Sequence, residues 1–327
     1  GFSDLSRFQV DDIEFLCFYN ASGILLPKYG ASWHIRDCWF TKPKDRGIAS
    51  FDAGCFAINI DHCQFISTEY DTLAQERKTI AISLNSNDVR IRNNHAIRFR
   101  HFAFLSSALC IISGDRRSNS TLVSNYIDNC HIEVTNEHSP LQNGDANSPT
   151  FGDLIMTGNM FVAADVPNWF TFLRIMPYGT NHRLSGINMT HNTFNVFDGS
   201  QIDRVESLNL SNGSIDHSAS EDIVFEYNVF NGVTRRTQNP AFVEVAQPTA
   251  LAAWPYDHAQ IVPFGGRVLS ASSITALGPI QNAANVAQFG APYVSVNQGA
   301  AGQAVAINWA TAVKGRVALQ LRSDRTI

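Results

Sequence analysis

The chain has 327 residues, enough for one large domain and a small one. Only 16% are charged against 44% hydrophobic, so the surface falls to Asn, Ser, Thr and Gln rather than to charge. A net charge of −5 with no clustered basic stripe argues against a nucleic-acid partner, and no apolar run reaches the roughly 18 residues of a membrane-crossing helix.

Reading begins at Gly1-Phe2, without Met and already inside a hydrophobic pattern, as expected of a piece of a longer chain. A six-residue phrase then recurs: apolar, two variable residues, Asn or another bend-tolerant residue, any residue, apolar. Its first copies are Val10-Asp11-Asp12-Ile13-Glu14-Phe15, Ile35-Arg36-Asp37-Cys38-Trp39-Phe40 and Ile60-Asp61-His62-Cys63-Gln64-Phe65. Ile91-Arg92-Asn93-Asn94-His95-Ala96 and Leu122-Val123-Ser124-Asn125-Tyr126-Ile127 follow. The clearest are Met156-Thr157-Gly158-Asn159-Met160-Phe161, Met189-Thr190-His191-Asn192-Thr193-Phe194 and Phe225-Glu226-Tyr227-Asn228-Val229-Phe230.

Successive copies start 25, 25, 31, 31, 34, 33 and 36 residues apart. Each step holds three short strands and their turns, is too short for a propeller blade and carries no helical stripe. The expected fold is therefore all-β, a right-handed parallel β-helix of about eight coils over residues 1–238. A β-sandwich with coincidental Asn spacing is the competing reading. Asn94, Asn125, Asn159, Asn192 and Asn228 are expected to turn the chain in the left-handed conformation and to stack their amides about 4.8 Å apart, the strand spacing. The flanking apolar residues, Phe65, Phe161, Phe194 and Phe230 among them, point inward.

Six cysteines, Cys17, Cys38, Cys55, Cys63, Cys110 and Cys130, contain no CxxC pair. They read as buried small hydrophobes rather than disulfides or zinc ligands, with Cys38 and Cys63 at the Asn position of the phrase. No cofactor and no metal is expected. His101, His131 and His191 sit inside strand patterns and read as satisfied core or face residues.

After Phe230 the phrase stops, and from Asn239-Pro240 the composition shifts to Ala, Val, Gln and Gly. Trp254-Pro255-Tyr256 and Pro263-Phe264-Gly265-Gly266 read as turn-rich. Alternation over 292–296, 304–309 and 316–321 predicts antiparallel strands, so residues 239–327 form a small C-terminal β domain that caps the helix or drives oligomerisation.

The Thr-Gly-Asn-Met-Phe and Thr-His-Asn-Thr-Phe phrases resemble the pectate-lyase-like β-helix superfamily over residues 3–238. With the Asn-rich coils, the low-charge C-terminal segment and Asn125-Tyr126-Ile127-Asp128-Asn129-Cys130, the chain looks most like spike proteins of phages and phage-derived particles such as gene transfer agents. That resemblance implies a homotrimer at an extracellular or virion surface, beside other particle proteins, that binds host cell-surface polysaccharide. Some such spikes also cleave it. No catalytic motif of the superfamily transfers residue by residue, and nothing matches the calcium-binding Asp cluster of pectate lyases.

Aligning coils on the phrase start places Glu137 and His138, Trp169 and Arg174, and Asp203, Arg204 and Glu206 at similar offsets, between +13 and +18. An aromatic face, cationic donors and carboxylates in one strip suit an oligosaccharide. Glu137, Asp203 and Glu206 are the candidate carboxylates if the strip hydrolyses a glycoside, whereas a lyase would draw its base from Arg174, Tyr178 or His182. The plain alternative is a solvated face with weak ion pairs. The stretches 139–150 and 169–182 are expected to project beside the strip.

Overall fold

The computed structural model describes residues 6–16, 22–26, 29–69, 72–73, 76–106, 120–137, 150–197, 202–299 and 302–324. Two compact units divide the chain: residues 1–216 with 227–236, and residues 217–226 with 237–327.

The first unit is a right-handed parallel β-helix. Eight short parallel strands, from Glu14–Leu16 to Val229–Asn231, form one sheet, one strand per coil. Its central row pairs Phe15, Phe40, Phe65, Ala96, Ile127, Phe161, Phe194 and Phe230 in succession. The rings stack nearly parallel where aromatics adjoin, at 4.9 Å for Phe15 with Phe40, 4.8 Å for Phe40 with Phe65 and 4.9 Å for Phe161 with Phe194. Each fully buried Phe contributes about 2–3 kcal/mol by leaving water, and stacking adds about 1 kcal/mol. The first residues of the phrase pair just as regularly in the larger sheet, from Val10 with Ile35 through Ile60 with Ile91 to Met156 with Met189. The repeat steps are thus the lengths of the coils.

Between these two rows lies the asparagine corner. Asn94, Asn125, Asn159 and Asn192 each donate from Nδ2 to Oδ1 of the next asparagine, at 2.9–3.1 Å, ending on Asn228. Each Nδ2 also donates to a carbonyl one coil back, as Asn125 does to Ile91 at 3.0 Å and Asn159 to Leu122 at 2.8 Å. Every Oδ1 in turn accepts a backbone N–H, starting with that of Cys63 on Asn94 at 2.8 Å. The stacking follows the expected pattern, but the left-handed turn does not. Positive φ falls one residue earlier in all eight copies, on Asp12, Asp37, His62, Asn93, Ser124, Gly158, His191 and Tyr227. The asparagine is thereby freed to point inward as a ladder rung.

Cys38 and Cys63 occupy the rung position in the second and third coils. Their thiols approach the carbonyls equivalent to those that the amides use, Val10 at 3.8 Å and Ile35 at 3.7 Å. Cys38, Cys63 and Cys130 are free and buried, and burial pushes the thiols of Cys63 and Cys130 up to about 12. Cys17 and Cys110, and the side chain of Cys55, lie outside the described residues.

The second unit holds a four-stranded antiparallel sheet. Its centre is the 19-residue strand Ala304–Arg322, which unites two segments expected to be separate and pairs with Ala241–Asp257, Ser270–Ala276 and Tyr293–Gln298. Trp254-Pro255-Tyr256 belongs to Ala241–Asp257 rather than to a turn. That strand pairs along one edge only, the setting in which a sheet tolerates Pro. Val243, Val245, Trp254, Ile307, Val317 and Leu319 fill its core, and Trp254 Nε1 donates to the Val313 carbonyl at 3.0 Å.

Candidate functional site

The lateral face of the coil stack that carries the expected strip is built by three parallel strands, His131–Thr135, Leu173–Met176 and Glu206–Leu208. Alternation puts Ile132, Val134, Leu173 and Ile175 in the core, leaving Glu133, Arg174 and Ser207 as one outward row across three coils. Trp169 precedes the middle strand in a turn closed by Phe170 N–H donating to the Pro167 carbonyl at 2.9 Å. Its indole is 55% exposed. Beside it the hydroxyls of Thr171 and Ser207 lie 2.8 Å apart, linking adjacent coils.

Other members of the strip are placed less uniformly. Glu137 stands two residues beyond its strand and accepts a hydrogen bond from the Tyr178 hydroxyl at 3.1 Å. Asn136, buried beside it, holds Tyr178 by both ends of its backbone: its Oδ1 accepts the Tyr178 N–H at 2.7 Å, and its Nδ2 donates to the Tyr178 carbonyl at 2.9 Å. Burial raises the Tyr178 phenol above its ordinary value, and the bond to Glu137 raises it further. Asp203 is paired with Arg235 of the next coil. His138 and residues 139–149 lie outside the described residues.

Glu206 does not stand on the outer face. It takes the inward register position opposite Leu173, is 1% exposed, and is held by Arg204 Nη1 at 3.6 Å. Burial lowers the Arg204 guanidinium, and the Glu206 charge opposes that shift. Buried carboxylates survive in such places only when paired, which makes this a structural pair. Among the lyase-base residues His182 is fully buried, with Nε2 2.7 Å from the Tyr178 carbonyl. Of the expected projecting turn over 169–182, only the first four residues lie in the turn before the strand, while Leu173–Met176 and Gly179–Thr190 are sheet with Pro177 and Tyr178 as a corner between them.

The same face holds a group that the sequence reading set aside. His101 and His131 pair across adjacent coils with their rings 4.3 Å apart. Glu133 Oε2 lies 3.5 Å from His101 Nε2, 3.9 Å from His131 Nε2 and 3.6 Å from Arg174 Nη1. All three are buried, and both ring nitrogens of His101 and Nε2 of His131 have no hydrogen-bond partner among the described residues. They are therefore not the satisfied histidines expected. His191, by contrast, is exposed at a corner and stacks on Tyr227 at 5.1 Å. Offsets could have found the pair, since His101 lies 10 residues and His131 9 residues after their phrase starts.

No family model and no curated protein matches the chain. Among solved structures it is similar to mutant tailspike proteins of Escherichia coli bacteriophage HK620. One, in complex with a pentasaccharide, has a TM-score of 0.39 at 11% identity, over 97% of this chain and 70% of that one. A second pentasaccharide complex scores 0.37 at 10% identity, over 97% and 69%. A double mutant scores 0.35 at 12% identity, over 96% and 68%. No helix among the described residues is long and apolar enough to cross a membrane.

Proposed function

We propose that the chain is an attachment spike of a phage or phage-like particle, which binds host cell-surface polysaccharide through the lateral face of its β-helix. The exposed Trp169, beside the Arg174 and Ser207 row, is the observation that carries this reading. Sugar rings stack on such an indole, while a guanidinium and hydroxyls supply donors and acceptors for the substituents around them. On this reading Glu137 and Asp203 form the rim of the same face.

The state of the carboxylates favours binding over cleavage. A hydrolase needs two carboxyl groups flanking one bond, but here Glu206 is interior, Asp203 is paired with Arg235 and Glu137 is engaged by Tyr178. A Tyr178 phenol with a raised pKa is a donor at neutral pH rather than the base of a lyase.

On this reading the protein works outside the host cell as a homotrimer on the particle, beside other virion proteins. Phe242, Phe289 and Tyr293 of the second unit are exposed, the kind of apolar surface that further copies cover. Light scattering should report a mass near three times 36.1 kDa. Trp169→Ala should weaken binding to whole cells or a glycan array by about 2 kcal/mol while melting as the parent does. Unchanged binding in a folded Trp169→Ala/Arg174→Ala variant would retire this face as the site.

A further inference from the structure

The buried group at His101, His131 and Glu133 asks for an explanation independent of glycan binding. His131 opens the strand His131–Thr135, and Glu133, two residues on, shares its face. A register irregularity between His101 and Ala103 sets His101 opposite His131 in the neighbouring coil, so three potential ligands from two coils converge. The nearest oxygen or nitrogen atoms of the three all lie within 4.8 Å of one another.

Hydrogen bonding does not account for the arrangement. Three ring nitrogens have no partner among the described residues, and a buried polar atom left without one is costly. Phe104 and Phe170 pack against the rings of His101 and His131 at 5.3 and 5.9 Å and hold them in place.

We propose that His101, His131 and Glu133 form a binding site for a divalent transition-metal ion of the zinc class. Two imidazole nitrogens and one carboxylate oxygen are a donor set suited to such ions, and it leaves a coordination position open. Ligand atoms around a tetrahedral zinc ion stand about 3.3 Å apart, given bonds near 2 Å, and the separations from Glu133 Oε2 are 3.5 and 3.9 Å. Closing on an ion means drawing these atoms, all within 4.8 Å of one another, in towards that spacing. Arg174 approaches the same carboxylate oxygen at 3.6 Å and is 28% exposed, so it stands on the solvent side and shares Glu133 with the ion. Bound there, the ion would tie two coils together next to Arg174 and Ser207.

The untagged full chain, stripped with a chelator, would be titrated with Co²⁺ and followed by visible absorption, and with Zn²⁺ and followed by thermal melting. The expected result is one equivalent of Co²⁺ with a d–d band indicating imidazole coordination, and a melting temperature raised by Zn²⁺. Glu133→Gln preserves size and shape and should lower affinity at least tenfold. His131→Phe should do the same, whereas His191→Phe, at an exposed corner, should leave both signals intact. If His131→Phe does not fold, Glu133→Gln decides. Absence of stoichiometric binding to the parent chain, or an unchanged band in Glu133→Gln, would overturn the proposal.

Discussion

Asn125 and His131 are six residues apart in one coil, both buried, and their polar atoms fare oppositely. Asn125 accepts at Oδ1 from the backbone and side chain of Asn94 and donates from Nδ2 to Ile91 and Asn159. Nε2 of His131 has no hydrogen-bond partner among the described residues. The corner repeats a closed pattern through successive coils, so its amides stabilise any coil added to the stack. The histidine cluster occurs in two coils and is incomplete by hydrogen bonding alone. A buried polar group that completes a network specifies the fold, and one that does not points to something further.

The sharpest way to break this comparison is to remove a rung. Asn125→Ala strands the Asn94 N–H, the Ile91 carbonyl and one side of the Asn159 amide, each at about 1–3 kcal/mol. A loss of about 4 kcal/mol is expected, read from a lowered denaturation midpoint at unchanged slope. A loss below about 1 kcal/mol would mean that water replaces the rung and that the ladder is dispensable.

The buried thiols offer a pH test. Cys63 and Cys130 hold their protons up to about 12 when folded, whereas an unfolded thiol releases its proton near 8.5. Above pH 8.5 the folded chain therefore binds more protons than the unfolded one. Stability is complete below that point and falls as pH rises towards 12, by about 1.4 kcal/mol per pH unit for each thiol. Urea melts from pH 7 to 10 should show the slope, and a Cys63→Ala/Cys130→Ala variant should flatten it.

The smallest effect has the opposite sign. His131→Phe replaces an unpartnered buried nitrogen by carbon in a ring that already meets Phe170 edge-on. In metal-free protein it should raise stability by about 1 kcal/mol. Destabilisation would show that the imidazole has a hydrogen-bond partner after all, and the contrast with Asn125 would collapse.

The fold was legible because each coil repeats one chemical requirement: an inward apolar residue, a corner and another inward apolar residue. The corner itself was half legible. Asn is the commonest non-glycine residue in left-handed turns, so the turn was assigned to Asn159 rather than to Gly158 before it. The preceding position varies among Asp, His, Asn, Ser, Gly and Tyr and gives no signal of its own. The lateral face was harder, because strands there begin at different distances from the phrase. Glu133 lies 11 residues after its phrase start and Arg174 18 after its own, yet they are direct partners. Equal offsets therefore selected Glu137 and missed Glu133. In the second unit Pro255 looked like punctuation, because nothing local shows that its strand runs along a sheet edge.

The asparagine ladder also has a direction. Its rungs are fixed by backbone groups on both sides, since Asn94 Oδ1 must accept the Cys63 N–H and Asn94 Nδ2 must donate to the Ile60 carbonyl. No rung can flip alone, and the side-chain amides from Asn94 to Asn228 point the same way along the stack. Their dipoles add as peptide dipoles do in an α-helix, with the oxygen end towards Cys63 and the N–H end at Asn228. The β-helix thus carries an internal electric polarity along its axis, which distinguishes its two ends for any charged group that approaches them.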